Sequence, residues 1–263
     1  MPGCLLAAPT RTADEIRDLD AIDGALRRIA MSIGAVETGY STLIASDVLR
    51  RADYLEAFPH LLMSATSRRD RMAAGGDDQL PAWCLSPAVC YHTYAQLAGR
   101  SVAGGWVTTA RGRCFRAEEQ TEPGIRQVEF EMREIVLLGD SDRVDGWVEH
   151  LRTAVEQAAL AAGLAGTWEP AEDPFFLPSA AGKALMQRLM KVKLEYRLTH
   201  PEGLALASVN RHGSFFAQRF DIRTASGGIA TTACVAIGLD RWRYAAALAG
   251  VPPAAAAQMK ETR

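Results

Sequence analysis

The stretch from Arg113 to Gly139, RCFRAEEQTEPGIRQVEFEMREIVLLG, constrains the fold more than any other part of the chain. Residue types alternate with a period of two over Cys114 to Glu119 and again over Gln127 to Leu138, with a charged loop between. A strand turns successive side chains to opposite faces, so this is the pattern of a β-hairpin. On the second strand Arg126, Val128, Phe130, Met132 and Glu134 share one face; on the first, Arg116 and Glu118 do. Two arginines, two carboxylates and an aromatic ring make a poor apolar core. They suit a nucleotide, because arginine grips phosphate bidentately and a ring stacks on a purine. An ordinary hairpin with one wet face and cross-strand ion pairs would carry the same charges.

The rest of the chain supplies helices and further strands. Thr12 to Ile33 reads as a helix, with acids in its first turn and Ile16, Leu19, Ile22, Leu26 and Ile29 spaced by three and four. Ser46 to Ala57 reads as a second helix ending near Pro59, followed by an apolar strand. The charged stretch Arg68 to Leu80 reads as an exposed loop. Pro87 suits the first turn of a helix carrying Cys90, a position where a lone cysteine is ordinarily a small buried hydrophobe. His92 on that helix would point away from Cys90. Gly105 to Ala110 reads as a strand leading into the hairpin. Ser141 to Leu160 is helical with Ser141 as N-cap, and Val144, Trp147, Val148, Leu151, Val155 and Ala158 lie on one face. A proline-rich, aromatic loop then precedes a helix from about Ala180 to Lys191. Strands follow at Leu194 to Leu198, Leu204 to Val209, Phe215 to Ile222 and Ile229 to Ile237, then a closing helix from Leu239 to Leu248. On the last strand Ala230, Thr232, Cys234, Ala236 and Gly238 form a face of small residues, which leaves room for a ligand. Antiparallel strands interrupted by helices define an α+β fold around one sheet.

With 263 residues, 48% of them hydrophobic and 23% charged, and a formal net charge of −2, the chain fits one or at most two globular domains and has no overall pull on polyanions. We read residues 1–263 as a single catalytic domain, with 1–40 as an N-terminal helical segment and 141–192 as a helical insert. Five scattered cysteines do not form a secreted disulfide framework; reduced thiols or metal ligands fit better. With neither a signal peptide nor a membrane-spanning apolar run, the expectation is a cytoplasmic protein.

Phe115-Arg116-Ala117-Glu118, a loop, and then Arg126 through Phe130 to Glu134 resemble motif 2 of the class II aminoacyl-tRNA synthetases. The helix, "FPH" and strand of Ser41 to Ala65 resemble motif 1, the dimer-building element of that class. "GLDRW", Gly238 to Trp242, is similar to motif 3, and the three occur in the class II order. The resemblance implies ATP, with Arg116 on the α-phosphate, Glu118 beside the adenine or ribose, Phe130 under the adenine and Arg241 on the γ-phosphate. Arg126 is a further candidate for the triphosphate tail, with Mg²⁺ accompanying it. It also implies a homodimer.

A narrower likeness is to the atypical, archaeal-type seryl-tRNA synthetases and their small relatives, the amino acid:[carrier protein] ligases. In position relative to motifs 2 and 3, Cys90, Glu134 and Cys234 match the Zn²⁺ ligands of those proteins. No local spacing rule would find such a site, since the two thiols lie 144 residues apart. Three protein ligands leave one tetrahedral position for the amine of an amino acid. The stretch "ASVNRHGSFF" looks like the ligases, which makes Ser208 and Asn210 candidate substrate contacts. Ala205 stands where the synthetases have an acid, which puts the usual magnesium ligand in doubt. Only 40 residues precede Ser41, and there is no basic patch; both favour a bare catalytic domain without tRNA. The expected reaction is ATP-dependent activation of a small amino acid, glycine or alanine, and its transfer to the phosphopantetheine thiol of an acyl or peptidyl carrier protein. Lys183 and Glu195 read first as a solvated lysine and an ordinary strand glutamate, with a place near the cleft as the alternative for each. A true aminoacyl-tRNA synthetase and a non-catalytic, synthetase-like regulatory or binding protein stay open as alternatives.

Overall fold

A computed structural model describes residues 10–69, 81–172 and 192–252. Its frame is a seven-stranded sheet in the order β1-β5-β6-β10-β9-β8-β7. The strands are β1 (Val36–Glu37), β5 (Trp106–Phe115), β6 (Glu129–Gly139), β7 (Gly166–Pro170), β8 (Lys193–Leu198), β9 (Ala205–Gly213) and β10 (Thr231–Gly238). All neighbours are antiparallel except β1, which runs parallel to β5. A small second sheet joins β2 (Leu43–Ala45), β4 (Trp83–Leu85) and β3 (Ser64–Ala65). The fold is α+β.

One face of the large sheet is closed by three helices: α1 (Ala13–Ser32), α5 (Ser141–Ala161) and α7 (Leu239–Leu248). Each presents an apolar stripe, such as Leu19, Ile22 and Leu26 on α1 and Val148, Leu151 and Val155 on α5, to Ile135, Leu137, Val235 and Ile237 of the central strands. Burying each such side chain stabilises the fold by roughly 1.5–3 kcal/mol, enough to override the polar residues on the outer helix faces. Thr12 and Glu15 form a reciprocal capping box that starts α1. The opposite face is covered only in part, by the short helices α4 (Cys90–Gln96) and α6 (Phe215–Phe220) and by α2 (Ser46–Arg51) and α3 (Tyr54–Ala57). A cavity remains where that cover stops.

The ladder register fixes what the cavity floor presents. One row across the sheet runs Lys193, Asn210, Cys234; the next runs Glu195, Ser208, Ala236, Glu134. Of the small-residue face, Cys234, Ala236 and Gly238 look into the cavity, whereas Ala230 precedes β10 and packs in an apolar cluster; Ala233, Val235 and Ile237 go to the core.

Several elements differ from the sequence reading. Phe215 to Ile222 is not a strand: after Gly213 at φ +55° the chain turns into α6, burying Phe216, Ala217 and Phe220 at helical spacing. The helix expected over Ser46 to Ala57 is two helices, broken where Asp53 adopts φ +66°. Ile16 is 48% exposed rather than part of the buried stripe. Helix α4 starts at Cys90 with Val89 as N-cap, so Pro87 precedes it, and Asp140 rather than Ser141 is the N-cap of α5. Strand β5 runs unbroken through Arg111 to Arg113 and ends at Phe115. There Ala117 N–H turns to Leu61 C=O (3.0 Å), placing Arg116 and Glu118 in the loop and not on the strand. Arg126 also lies in that loop, before β6. The expected helical insert contains the edge strand β7. The helix over Ala180 to Lys191, with Lys183, and most of the Arg68 to Leu80 loop lie outside the described residues. Among the described residues no helix is long and apolar enough to cross a membrane.

Candidate active site

The cavity has a volume of about 760 Å³. Arg116, Glu118, Arg126, Phe130 and Arg241 line one end, and Cys90, Glu134, Cys234, Ser208 and Asn210 also line it. Residues from the hairpin, α4, β9, β10 and the start of α7 therefore meet in one space.

The arginine end is built on backbone carbonyls. Arg116 donates through Nε and Nη2 to Pro87 C=O at 3.4 and 3.3 Å, and its guanidinium lies 5.1 Å from the centroid of the Phe130 ring. Arg241 donates through Nε to Ile125 C=O (2.8 Å) and through Nη1 to Ala205 C=O (3.0 Å). Burial first, and then the charge of Arg116, push the Arg241 guanidinium below its ordinary range; Glu195 opposes this, Arg126 adds to it, and Glu118 opposes it least. A buried Arg241 with Arg116 and Arg126 as neighbours is poised for a polyanion, whose binding would offset their repulsion. Glu195 accepts from Arg197 and pairs with Lys193 (3.3 Å), so its charge is already matched. Behind this end, Asp240 accepts the Glu131 amide N–H in β6 (2.6 Å), and Arg11 bridges Asp240 and Glu131. That brace fixes the first turn of α7 and with it Arg241.

At the other end, the donor atoms of Cys90, Glu134 and Cys234 lie within 4.8 Å of one another, and all three residues are buried. Cys90 comes from the first turn of α4, and its amide N–H donates to Glu134 Oε2. Glu134 and Cys234 come from adjacent strands, one register row apart. Burial, then the nearby Cys234, raises the Glu134 carboxyl to about 8. Hydrogen bonding with Cys90, then with His212 and Asn210, holds Cys234 well below an ordinary thiol against burial, while the same interaction and burial raise Cys90. Among the described residues no lysine or arginine forms an ion pair with Glu134. Two thiols and a carboxylate, buried together with one side open to a cavity, fit a tetrahedral Zn²⁺ with an exchangeable fourth position. His92 stays out of the set: it bonds Ser86 Oγ (3.1 Å) and stacks on Tyr40, and burial lowers it to about 4.

Two neighbours of this trio were not singled out from sequence. Tyr94 follows Cys90 by one helical turn, and its hydroxyl is 3.2 Å from His212 Nδ1; His212 Nε2 is 3.8 Å from Cys234 Sγ. The four-residue spacing of Cys90 and Tyr94, and the alternation Ser208, Asn210, His212, were the available signals.

The layout of sheet, hairpin and closing helix is that of the class II aminoacyl-tRNA synthetases. M. kandleri SerRS, solved in complex with A. aeolicus tRNASec, matches 97% of this chain with a TM-score of 0.78 at 18% identity, over 56% of its own length. In sequence the chain is similar to amino acid–[acyl-carrier-protein] ligase 2 of Bradyrhizobium diazoefficiens, 33% identical over 212 residues, or 73% of this chain. It is also similar to a type-2 serine–tRNA ligase of Methanothermobacter thermautotrophicus, 29% identical over 258 residues, 83% of this chain and 48% of that protein. The chain is thus similar in sequence to the amino acid–[acyl-carrier-protein] ligases and shares the fold of the class II synthetases. It spans less than two thirds of the length of that ligase, 63%. No protein-family model matches it.

Proposed function

We propose that the protein activates a small amino acid with ATP and passes it to the phosphopantetheine thiol of a carrier protein. The observation that carries this reading is the sharing of one cavity by the arginine cluster and the Cys90, Glu134, Cys234 trio. ATP, entering with Mg²⁺, would lay its adenine on Phe130 and its phosphates among Arg116, Arg126 and Arg241. Along β10, Cys234, Ala236 and Gly238 are about 6.6 Å apart at each step. An amino group held at Cys234 therefore leaves its carboxylate above Ala236, on the way to Arg241. When bound, Zn²⁺ at the trio would supply a Lewis-acid position for that amino group.

The carboxylate oxygen attacks the α-phosphorus, and pyrophosphate leaves as the far P–O bond breaks. Arg116 and Arg241 stabilise the charge that develops, so catalysis rests on positioning and preorganised charge. The carrier's thiolate then attacks the carbonyl and AMP departs, leaving a thioester. The ring of Phe216, which lines the cavity and is stacked on buried Tyr94 at 4.5 Å, limits the room beside the trio and supports a small substrate. Similarity to the ligases supports a carrier protein as acceptor. A homodimer and a cytoplasmic location complete the reading.

The test is to incubate the protein with ATP, Mg²⁺, glycine or alanine and either a phosphopantetheinylated carrier or total tRNA. Mass addition to the carrier, reversed by hydroxylamine, supports the proposal. Aminoacylation of tRNA instead would make the chain a synthetase.

A further inference from the structure

His212 sits on an irregularity in the sheet. Along β9 and β10, Ala233 pairs with Arg211 and Thr232 with Gly213, so His212 is the extra residue of a β-bulge and has no partner on β10. Gly213 beside it takes φ +55°, and Thr232 Oγ1 donates to Gly213 C=O (3.2 Å), which pins the bulge. Bulges re-aim side chains next to functional sites. Here the bulged ring has Nε2 3.8 Å from Cys234 Sγ and Nδ1 3.2 Å from the hydroxyl of Tyr94. Tyr94 is fully buried, and its ring is stacked on Phe216, so its hydroxyl has a fixed direction. Phe216 also packs edge-on against the imidazole at 4.8 Å.

A tyrosine hydroxyl facing Nδ1 and a sulfur facing Nε2 select one arrangement of protons. A metal-bound thiolate has no proton and only accepts, so the imidazole facing it would carry its proton on Nε2, and Nδ1 would then accept from Tyr94 O–H. Asn210 Nδ2, at 3.6 Å, is a second donor to the same sulfur. Cys90, the other thiol of the trio, receives no such pair among the described residues. The two sulfurs are chemically unequal.

We propose that His212 is a positioning residue for the metal site: it donates Nε2–H to the Cys234 sulfur, in a tautomer fixed by Tyr94. Withdrawing charge from one sulfur keeps a metal at the trio electrophilic and its open position available to an amino group. His212 is not itself a ligand, since its nitrogens fall outside the set of three donor atoms that lie within 4.8 Å of one another. The inference deepens the proposed function and rests on a metal being held by Cys90, Glu134 and Cys234.

Metal-stripped protein is reloaded with Co²⁺ for absorption spectroscopy and with Zn²⁺ for chelator competition, in wild type, His212→Leu, His212→Gln and Tyr94→Phe. The glutamine amide can reach the place of Nε2–H and restore the donor. His212→Leu is expected to move the sulfur-to-cobalt charge-transfer band to lower energy and to weaken Zn²⁺ binding by ~10–100-fold, as loss of an outer-shell partner does. His212→Gln should recover most of both, and Tyr94→Phe should fall between. Wild-type band and affinity in His212→Leu, or in Tyr94→Phe should the leucine variant fail to fold, would overturn the role. Failure of both His212 variants to bind cobalt at all would make the histidine a ligand and overturn it too. Wild-type protein that takes up no stoichiometric Co²⁺ or Zn²⁺ would instead overturn the metal reading itself.

Discussion

Replacing Gly124 by alanine should weaken ATP binding without touching the metal end of the cavity. Gly124 adopts φ +77°, and a Cβ built there meets Tyr244 Cδ2 at 2.5 Å, Cγ at 2.9 Å and Cβ at 3.0 Å. The hairpin loop therefore lies flat on α7 only because residue 124 has no side chain. That contact puts Ile125 C=O within 2.8 Å of Arg241 Nε. A non-glycine residue in this backbone conformation costs about 1–3 kcal/mol, and the chain can relieve it by lifting the loop. Binding ATP would then require the loop to be pressed back at a cost close to that strain. At 1.4 kcal/mol per factor of ten, the loss is roughly 5- to 150-fold in affinity for ATP. Pyrophosphate exchange at varied ATP and varied amino acid measures it. KM for ATP should rise by that factor, while KM for the amino acid and the Zn²⁺ content stay put. An unchanged KM for ATP, or an equal rise in both constants, would refute the argument that this glycine seats the loop.

Three further outcomes follow from named contacts. Arg133 is 1% exposed and bidentate to Asp23 at 2.6 and 2.8 Å; Arg133→Met leaves that carboxylate only the more distant Arg111, at 4.0 Å, and urea titration should show a loss of about 3 kcal/mol. Ala236→Leu fills the floor between Cys234 and Gly238, so pyrophosphate exchange should vanish while Zn²⁺ content is kept; exchange at the wild-type rate would sink the placement of the carboxylate there. Glu131 is held below an ordinary carboxylate: burial acts to raise it, and Arg111 and Arg11 outweigh that. Asp240 and Arg113 also face it. Because the folded value is depressed, the stabilisation is present above the unfolded value of about 4.3 and is lost as pH falls through the lower folded value. Thermal melts of Glu131→Gln should therefore be flatter below about pH 4.3 than those of wild type; an identical acid limb would remove Glu131 from the cause.

The parts of the fold that were legible are those whose local pattern and long-range packing agree. Strand β6 and strand β10 alternate over many residues, so the faces bearing Phe130, Glu134, Cys234 and Ala236 could be assigned by counting. Helix α7 matches its expected bounds because Gly238 to Trp242 marks a start and an apolar stripe continues it. Short elements were not legible. FFAQRFDI alternates well enough for a strand, and only the buried partners of Phe216 and Phe220 make it a helix. Two-residue β1 and three-residue β4 exist because neighbouring strands offer hydrogen bonds, a tertiary effect that no propensity records. Asp53 breaks a helix whose residues all read as helical, and its carboxylate is matched by Arg219, 166 positions away. His212 escaped notice because a bulge is set by the register of two strands, not by the sequence of one. The Cys90, Glu134, Cys234 trio was legible only by likeness to a family, since the fold, not sequence spacing, brings the three together.

The most direct test of the central claim is ATP–pyrophosphate exchange over a panel of amino acids, run on protein of measured zinc content beside Cys90→Ser. Exchange should be confined to small amino acids, with about one Zn²⁺ per chain, and both should be lost in the variant. Exchange at full rate by zinc-free protein, or none with any amino acid on zinc-loaded protein, would contradict it.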